Sequence, residues 1–156
     1  MTAIPSFTMN NGRTIPALGY GVFLMTSDQV REHLPQALKL GYRHIDTANV
    51  YFNEVAVGEV VRDAIAAGEL AREDLFITTK LFPQSYPYAQ AVEDIDATLA
   101  RLGLDYVDLL LFHQPYGEYV SGWKAMEEAV AGGKVRSIGL SNFPIAKFQE
   151  ILDVAE

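Results

Sequence analysis

The chain has 156 residues, of which 49% are hydrophobic and 21% are charged, with a net charge of −8 and no cysteine. This is the composition of an ordinary globular domain, and it excludes a disordered or collagen-like chain. Without cysteine there are no disulfides, thiol nucleophiles or cysteine-ligated metals. The three histidines are widely spaced, so we expect no metal site. The acidic balance argues against nucleic acid as a partner, because phosphate binding depends on Lys and Arg.

No stretch of the sequence contains the roughly 20 consecutive apolar residues that a membrane-spanning helix requires. The first residues, "MTAIPSFTMNNG", lack the basic region and the long apolar run of a signal peptide. We therefore expect a soluble cytoplasmic protein that does not bind membranes. No linker, low-complexity segment or change of composition divides the chain, which predicts a single domain over residues 1–156.

The first predicted element is a β-hairpin. The segments "SFTM" and "TIPALG" flank "NNGR", and an Asn-Gly pair between two extended segments is a strong signal for a tight turn. We expect this hairpin to lie outside the main sheet as a plug or lid.

After the hairpin, the pattern of strand followed by helix occurs five times. The predicted strands are "LGYGVF" (18–23), "YRHID", "LFITTK", "YVDLLLFH" and "VRSIGLSN". The predicted helices are "SDQVREHLPQALKLG", "NEVAVGEVVRDAIAAG", "AQAVEDIDATLARLG", the segment around "GWKAMEEAVAGG", and "PIAKFQEILDVAE". In the first helix, Val30, Leu34, Ala37 and Leu38 share one face, although Pro35 lies inside it.

Strands separated by helices of this length run parallel, because each helix returns the chain to the same end of the sheet. Two architectures fit this pattern: a (β/α) barrel and an open doubly wound sheet. An open dinucleotide-binding sheet is expected to carry G-x-G-x-x-G after its first strand, and this chain has no such motif there. The pattern therefore favours a barrel.

Polar residues stand at or just after the carboxyl ends of four predicted strands, where the loops of a parallel α/β fold form the active site. Listed in chain order, they are Asp46, Lys80, His113, and the pair Ser141 and Asn142. Tyr51 follows in the loop after the second strand, close enough to share a pocket with them.

Each of these residues also has a purely structural interpretation. Asp46 could be a helix cap or turn acid, and Tyr51 a packed loop aromatic. Lys80 could extend to solvent along its apolar stem, and His113 could be a core histidine. Asn142 could cap the last helix, with Pro144 at the first helical position. These readings leave unexplained why an acid, a phenol, an ammonium group and an imidazole meet at one end of the sheet.

Together the four groups suit proton donation to a carbonyl oxygen. A tyrosine with a pKa near 10 is a poor acid at pH 7, but a neighbouring cation lowers that pKa. We expect Lys80 to supply this cation, Asp46 to pair with Lys80 and fix its position, and His113 to orient the substrate oxygen. No nucleophile with an adjacent base is visible, which disfavours covalent catalysis.

The sequence resembles the aldo-keto reductases over essentially its whole length. The resemblance rests on "NNG…IPALGYGVF", "GYRHIDTANVYFNE", "LFITTKL", "ATLARLGLDYVDLLLFHQP" and "AMEEAVAGGKVRSIGLSNF". It implies a TIM (β/α)8 barrel with an N-terminal hairpin at its base. It also implies the reduction of aldehydes and ketones to alcohols by hydride transfer from NADPH.

The resemblance implies specific roles for the matching residues. Tyr51 is the general acid, Lys80 and Asp46 are its tuning pair, and His113 orients the carbonyl. The remaining implied contacts are Ser141, Asn142, Gly21 and Val22 with the cofactor, and Phe23 and Gln114 with the substrate. Many relatives have Trp where this chain has Gln114, so the resemblance leaves the substrate class open.

A complete barrel has eight strands and typically about 250 residues, whereas this sequence covers about five strand-helix units and stops at Glu156. In the family, the last three units supply most of the cofactor site. We expect a full-length parent to be a monomer that acts on a small carbonyl substrate, and the isolated 156-residue chain to self-associate through open strand edges. The alternatives are a non-catalytic redox-sensing or regulatory protein of the same fold, an inactive fragment, and an unrelated TIM-barrel enzyme.

Overall fold

The structure is a computed structural model that describes residues 4–155. It begins with the predicted hairpin, in which β1 (Ser6–Thr8) pairs antiparallel with β2 (Thr14–Pro16). The hairpin forms its own two-stranded sheet. Asn11, in the turn, donates from Nδ2 to Ser137 Oγ at 2.8 Å. The hairpin is therefore fastened to the amino end of the last strand of the main sheet.

The five predicted strand-helix units are confirmed. The strands are β3 (Gly19–Gly21), β4 (His44–Asp46), β5 (Phe76–Leu81), β6 (Leu109–Phe112) and β7 (Ile138–Leu140). The helices are α1 (Ser27–Lys39), α2 (Glu54–Ala66), α3 (Tyr88–Leu102), α4 (Tyr119–Ala131) and α5 (Ile145–Leu152). Several strands are shorter than their apolar runs suggested.

The main sheet is parallel, and its strands follow the order of the chain, β3-β4-β5-β6-β7. Such an order is that of a barrel wall, because a doubly wound sheet reverses direction at a switch point. The predicted barrel architecture is confirmed as a partial barrel of five strands. Within the described residues, β3 and β7 are its two edges.

Side chains on β4 and β5 alternate between the concave interior and the surrounding helices. His44 Nε2 and Thr78 Oγ1 lie 2.9 Å apart on the interior side, and Asp46 and Lys80 meet one step further along the same strands. On the helix side, Thr79 Oγ1 donates to the buried Glu54 carboxylate of α2 at 2.6 Å. The interior is therefore polar towards the carboxyl end of the sheet.

The apolar core lies between the sheet and the helices. Its fully buried side chains include Leu34, Ile45, Ile77, Leu102, Leu110, Phe112 and Met126. The predicted inner face of α1, formed by Val30, Leu34, Ala37 and Leu38, is buried as expected. Pro35 lies within α1 without ending it.

Two glycines bring helices unusually close to neighbouring backbone. A Cβ atom added at Gly58 in α2 would overlap the carbonyl oxygen of Leu102 in α3, and one added at Gly122 in α4 would overlap the carbonyl oxygen of Tyr86. At these two points, the glycine backbone of the helix packs directly against the opposing backbone. Among the described residues, no helix is both long and apolar enough to cross a bilayer.

Candidate active site

The four predicted catalytic side chains come together at the carboxyl end of the sheet. Asp46 ends β4, and Lys80 lies near the end of β5. His113 follows β6 directly, and its backbone N–H donates to the carbonyl oxygen of Leu81 at 3.0 Å. Tyr51 lies on a short 3₁₀ turn, Asn49–Tyr51, between β4 and α2. Three neighbouring strands thus deliver one group each, and the turn delivers the phenol.

Lys80 and Asp46 form the predicted ion pair. Lys80 Nζ lies 2.5 Å from Asp46 Oδ1 and donates a second hydrogen bond to the carbonyl oxygen of Thr47 at 2.9 Å. The Lys80 side chain is only 8% exposed and that of Asp46 is 33% exposed. A buried ammonium group needs such partners to offset the loss of hydration. The interpretation of Lys80 as a lysine that extends to solvent is therefore wrong.

Tyr51 differs from expectation in its electrostatics. Lys80 Nζ lies 5.1 Å from the centre of the Tyr51 ring, yet the pKa of Tyr51 is raised above its ordinary value, first by burial and then by the Asp46 carboxylate. The predicted lowering of this pKa is wrong for this structure, because the Lys80 charge is balanced by its own contact with Asp46. The phenol is therefore fully protonated at neutral pH.

His113 lies beside Tyr51, with the two ring centres 5.6 Å apart in an edge-to-face arrangement. Burial, and then the Lys80 charge, lower the pKa of His113 below its ordinary value. The imidazole is therefore neutral at pH 7, with one N–H donor and one acceptor. Its Nδ1 is buried and has no hydrogen-bond partner within residues 4–155. This unpaired atom is typical of a functional group more than of a packed core histidine.

Aromatic rings surround this cluster. Phe23, whose residue surface is 62% exposed, packs against Tyr51 with ring centres 4.9 Å apart. Phe82 packs edge-on against His113 at 5.7 Å and against Tyr116 at 6.5 Å. Sequence reasoning named Phe23 but missed Phe82 and Tyr116. The rule that carboxyl ends of strands carry the site could have found Phe82, since it directly follows β5.

Gln114, the second predicted substrate residue, is held through its backbone. The buried Tyr86 hydroxyl donates to the Gln114 carbonyl oxygen at 3.0 Å and accepts from the Gln114 N–H at 2.9 Å. Burial raises the pKa of Tyr86 to about 12. Tyr86 was not found from the sequence, because nothing local predicts a contact across 28 residues. It fixes the segment that follows β6, including His113.

The residues predicted to contact the cofactor are placed less uniformly. Asn142 Nδ2 donates to the His113 carbonyl oxygen at 2.9 Å and to Ser141 Oγ at 3.1 Å, at the carboxyl end of β7. Asn142 has φ of 65° and is not a helix cap, since α5 is capped at Pro144. The cap interpretation of Asn142 is therefore wrong.

Gly21 and Val22 lie at the carboxyl end of β3. Gly21 is exposed, and its α-carbon faces open space. Val22 is completely buried, its N–H donates to the Asp46 carbonyl oxygen at 3.0 Å, and its own carbonyl oxygen accepts from Asn53 Nδ2 at 2.9 Å. Gly21 is thus open to a ligand and Val22 is not. A cofactor contact for either residue stays a prediction.

The model of the Aldo/keto reductase family matches residues 17–156. An aldo-keto reductase of Mycobacterium tuberculosis is 44% identical over 155 residues, which cover 97% of this chain and 54% of the relative. Morphine 6-dehydrogenase of Pseudomonas putida is 39% identical, over 97% of this chain and 51% of that protein. The chain spans about half the length of these curated relatives.

Solved structures agree with these matches. A crystal structure of an aldo/keto reductase from Brucella melitensis superposes with a TM-score of 0.92 at 39% identity, covering 99% of this chain and 59% of that one. An aldo-keto reductase of Bombyx mori in complex with NADP gives a TM-score of 0.92 at 36% identity, covering 98% of this chain and 55% of that one. The chain therefore belongs to the aldo/keto reductase family.

Proposed function

We propose that this chain carries the acid-base site of an NADPH-dependent oxidoreductase that reduces aldehydes and ketones to alcohols. The observation that carries the proposal is the convergence of Tyr51, His113 and the Lys80–Asp46 pair at one end of the sheet. A phenol, a neutral imidazole and a partly buried ion pair can bind and protonate a carbonyl oxygen.

Tyr51 and His113 have complementary parts in this scheme. His113 is neutral, so an N–H of its ring can donate a hydrogen bond to the carbonyl oxygen and orient it. Tyr51 keeps its proton at neutral pH and gives it to that oxygen as negative charge develops there. The edge-to-face contact between the two rings supports this scheme, because it holds both groups close enough to reach one carbonyl oxygen.

Lys80 acts when the proton leaves. The phenolate that forms on Tyr51 is stabilised by the nearest cation, and Lys80 Nζ lies 5.1 Å from the ring centre. Asp46 and the Thr47 carbonyl oxygen hold Lys80 in place. Because Asp46 balances the charge of Lys80 in the resting state, the tyrosine stays protonated until the substrate accepts the proton.

The cofactor NADPH supplies the hydride when bound. The residues at the end of β7 fit an amide such as the carboxamide of nicotinamide. Both hydrogen bonds of Asn142 Nδ2 are made within the protein. Its Oδ1 is therefore available as an acceptor for a ligand, and the Ser141 hydroxyl is available as a donor. Gly21 offers an open surface on β3, and Phe23 and Gln114 border the space where the substrate carbonyl would lie. The NADP complex of the Bombyx mori relative supports this cofactor.

The variant Tyr51→Phe tests the proposal. It removes the only group proposed to donate the proton, so kcat is expected to fall by about 10²- to 10⁴-fold, while the affinity for NADPH stays unchanged. The measurements are NADPH oxidation with 4-nitrobenzaldehyde and a fluorescence titration with NADPH. Tyr106→Phe, at the opposite end of the sheet, is the matched control. A kcat for Tyr51→Phe equal to that of the wild type would contradict the proposal. Wild-type protein that binds NADPH without turnover would favour the redox-sensing alternative or an inactive fragment.

A further inference from the structure

Asn53 occupies the position before α2 where an asparagine ordinarily caps the helix with its side chain, yet its side chain makes no such bond. Asn53 is 1% exposed, and its amide is used elsewhere. Nδ2 donates to the carbonyl oxygens of Val22 at 2.9 Å and Met25 at 3.1 Å, and Oδ1 accepts from the Thr47 hydroxyl at 2.9 Å. The Asn53 side chain therefore does not cap α2 and instead binds two other segments of the chain.

The first of these segments, residues 22–25, is strained. Leu24 has φ of 62°, a left-handed conformation that leucine rarely adopts, and it is 83% exposed, so packing does not hold it there. Inside the segment, one backbone hydrogen bond joins Met25 N–H to the Val22 carbonyl oxygen at 3.2 Å. The two bonds from Asn53 reach both ends of the segment and enclose Phe23, whose ring packs on Tyr51.

The second segment supports the ion pair. The Thr47 hydroxyl is bound to Asn53, its N–H donates to the Thr78 carbonyl oxygen at 2.9 Å, and its carbonyl oxygen accepts from Lys80 Nζ. One buried amide therefore joins the loop of Phe23 to the backbone that holds Lys80. Tyr51 lies two residues before this amide on the same chain segment.

We propose that Asn53 is a positioning residue that holds the strained loop 22–25 against Tyr51, so that Phe23 and Tyr51 form two walls of one substrate cleft. The inference deepens the proposed function and rests on it for its effect on turnover. Its geometric part, the approach of Phe23 to Tyr51, is independent of any activity.

The geometric test uses NMR of the free chain. Ring centres 4.9 Å apart give a nuclear Overhauser effect between Phe23 and Tyr51 ring protons in the wild type. In Asn53→Ala this signal is expected to disappear, because Leu24 is free to leave its left-handed conformation. In the double variant with Leu24→Gly the signal is expected to return in part, since glycine accepts that conformation without strain. A purely stabilising role of Asn53 predicts no such rescue.

The kinetic test separates substrate positioning from chemistry. In Asn53→Ala, kcat/KM is expected to fall about ten-fold, mostly through a higher KM, because the Lys80–Asp46 pair and Tyr51 itself remain. Asn49→Ala removes an equivalent amide on the other side of Tyr51, which binds only Ser85 Oγ among the described residues, and serves as the matched control. An equal loss in both variants would overturn the proposal.

Leu24→Gly alone is a variant that is expected to fold, since the side chain is exposed and glycine suits the backbone there. The wild-type signal between Phe23 and Tyr51 is expected to persist in it, because Asn53 still holds both ends of the loop. Loss of the signal in Leu24→Gly, or its retention in folded Asn53→Ala, would show that Asn53 does not hold the loop. Absence of turnover in the wild type would count against the proposed function alone.

Discussion

The two ends of the parallel sheet are built differently. At the carboxyl end, the loops contain all three non-glycine residues with positive φ in residues 4–155, namely Leu24, Phe52 and Asn142. The same end holds two of the three buried side-chain atoms that have no hydrogen-bond partner in residues 4–155, Asn49 Oδ1 and His113 Nδ1, whereas the third, Arg72 Nε, lies at the amino end. At the amino end, Arg72 and Asp108 form a partly buried ion pair at 2.7 Å, and Asp108 also accepts from the Ile77 N–H at 2.8 Å.

The amino end is further tied together by aromatic and amide contacts. The Tyr106 ring lies between two guanidinium groups, with Arg72 4.0 Å and Arg136 4.3 Å from its centre. The hairpin is fastened to β7 through Asn11 and Ser137. In folds of this type, the base serves stability and the mouth serves function. Backbone strain at non-glycine residues therefore lies at the end where a ligand can use it, and the contacts at the opposite end supply stability that tolerates this strain.

The largest effect is expected from removing the Lys80 cation at the carboxyl end of the sheet, which is the mouth of the partial barrel. Lys80→Met keeps the apolar stem but leaves the Asp46 carboxylate unbalanced beside Tyr51. We expect kcat to fall about 100-fold or more, and the basic limb of the pH-rate profile to move to higher pH, because the pKa of Tyr51 rises further. Lys134→Met, an exposed lysine paired with Asp96, is the control. An unchanged pH-rate profile in Lys80→Met would show that Lys80 has only a structural role.

A change at the base is expected to affect stability without affecting turnover. Asp108→Asn removes the charge from two hydrogen bonds in a pair whose side chains are only 14% and 16% exposed. The expected loss is about 2 kcal/mol of unfolding free energy, measured by urea denaturation, with kcat unchanged. Asp96→Asn breaks an exposed pair and should cost less than about 1 kcal/mol. A fall in kcat in Asp108→Asn would contradict the prediction that the amino end of the sheet affects stability without affecting turnover.

A third variant tests the support beneath the mouth. Tyr86→Phe removes both hydrogen bonds to Gln114 and is expected to cost about 1 kcal/mol at pH 7. The folded-state pKa of Tyr86, about 12, lies above the unfolded value near 10. The contribution of Tyr86 is therefore complete below pH 10 and is lost as the pH rises towards 12.

Denaturation of Tyr86→Phe at pH 9 and pH 11 measures this loss. The stability difference from the wild type should shrink by about 1 kcal/mol between the two values. Tyr88→Phe, in which an exposed hydroxyl bound to Glu128 is removed, is the control at pH 9 for the loss of a surface hydroxyl. A difference that stays constant up to pH 11 would show that Tyr86 is not held as a neutral phenol.

The smallest effect concerns stored strain. Phe52 is 87% exposed with φ of 57°, so Phe52→Gly is expected to raise the unfolding free energy by up to about 1 kcal/mol, as relief of strain exceeds the entropy cost of glycine. Phe7→Gly, at an exposed position in a regular strand of the hairpin, should lower it by roughly 0.5–1 kcal/mol. Equal losses in both variants would mean that the mouth stores no strain at Phe52.

Much of the fold followed from local patterns. Short-range sequence patterns predict the alternation of strands and helices, the Asn-Gly turn and the inner face of α1. The structure confirms all three. The pairing of Lys80 with Asp46 also followed from the rule that a buried charge needs a partner. Such rules act on one residue and its immediate surroundings, which a sequence displays directly.

The rest depended on distances that a single sequence does not contain. The direction of the Tyr51 pKa depends on how strongly Asp46 already balances Lys80. The spacing of Asn142 from Pro144 allows a helix cap as an alternative to a cofactor contact, and only the structure shows that its amide binds His113 across 29 residues. No sequence pattern indicates the role of Asn53, since its hydrogen-bond partners lie on two other loops.

The contacts of Gly58 with Leu102 and of Gly122 with Tyr86 have a practical consequence for laboratory evolution of this scaffold. Any side chain at either position would collide with a carbonyl oxygen of the opposing backbone, and backbone cannot move aside as a flexible side chain can. Amino-acid substitutions at these two positions are therefore expected to destabilise the fold, and random libraries would spend clones there without changing the cleft. Diversity placed instead at Phe23, Phe82 and Tyr116, whose rings face open space or one another, would reshape the cleft while the helices keep their spacing.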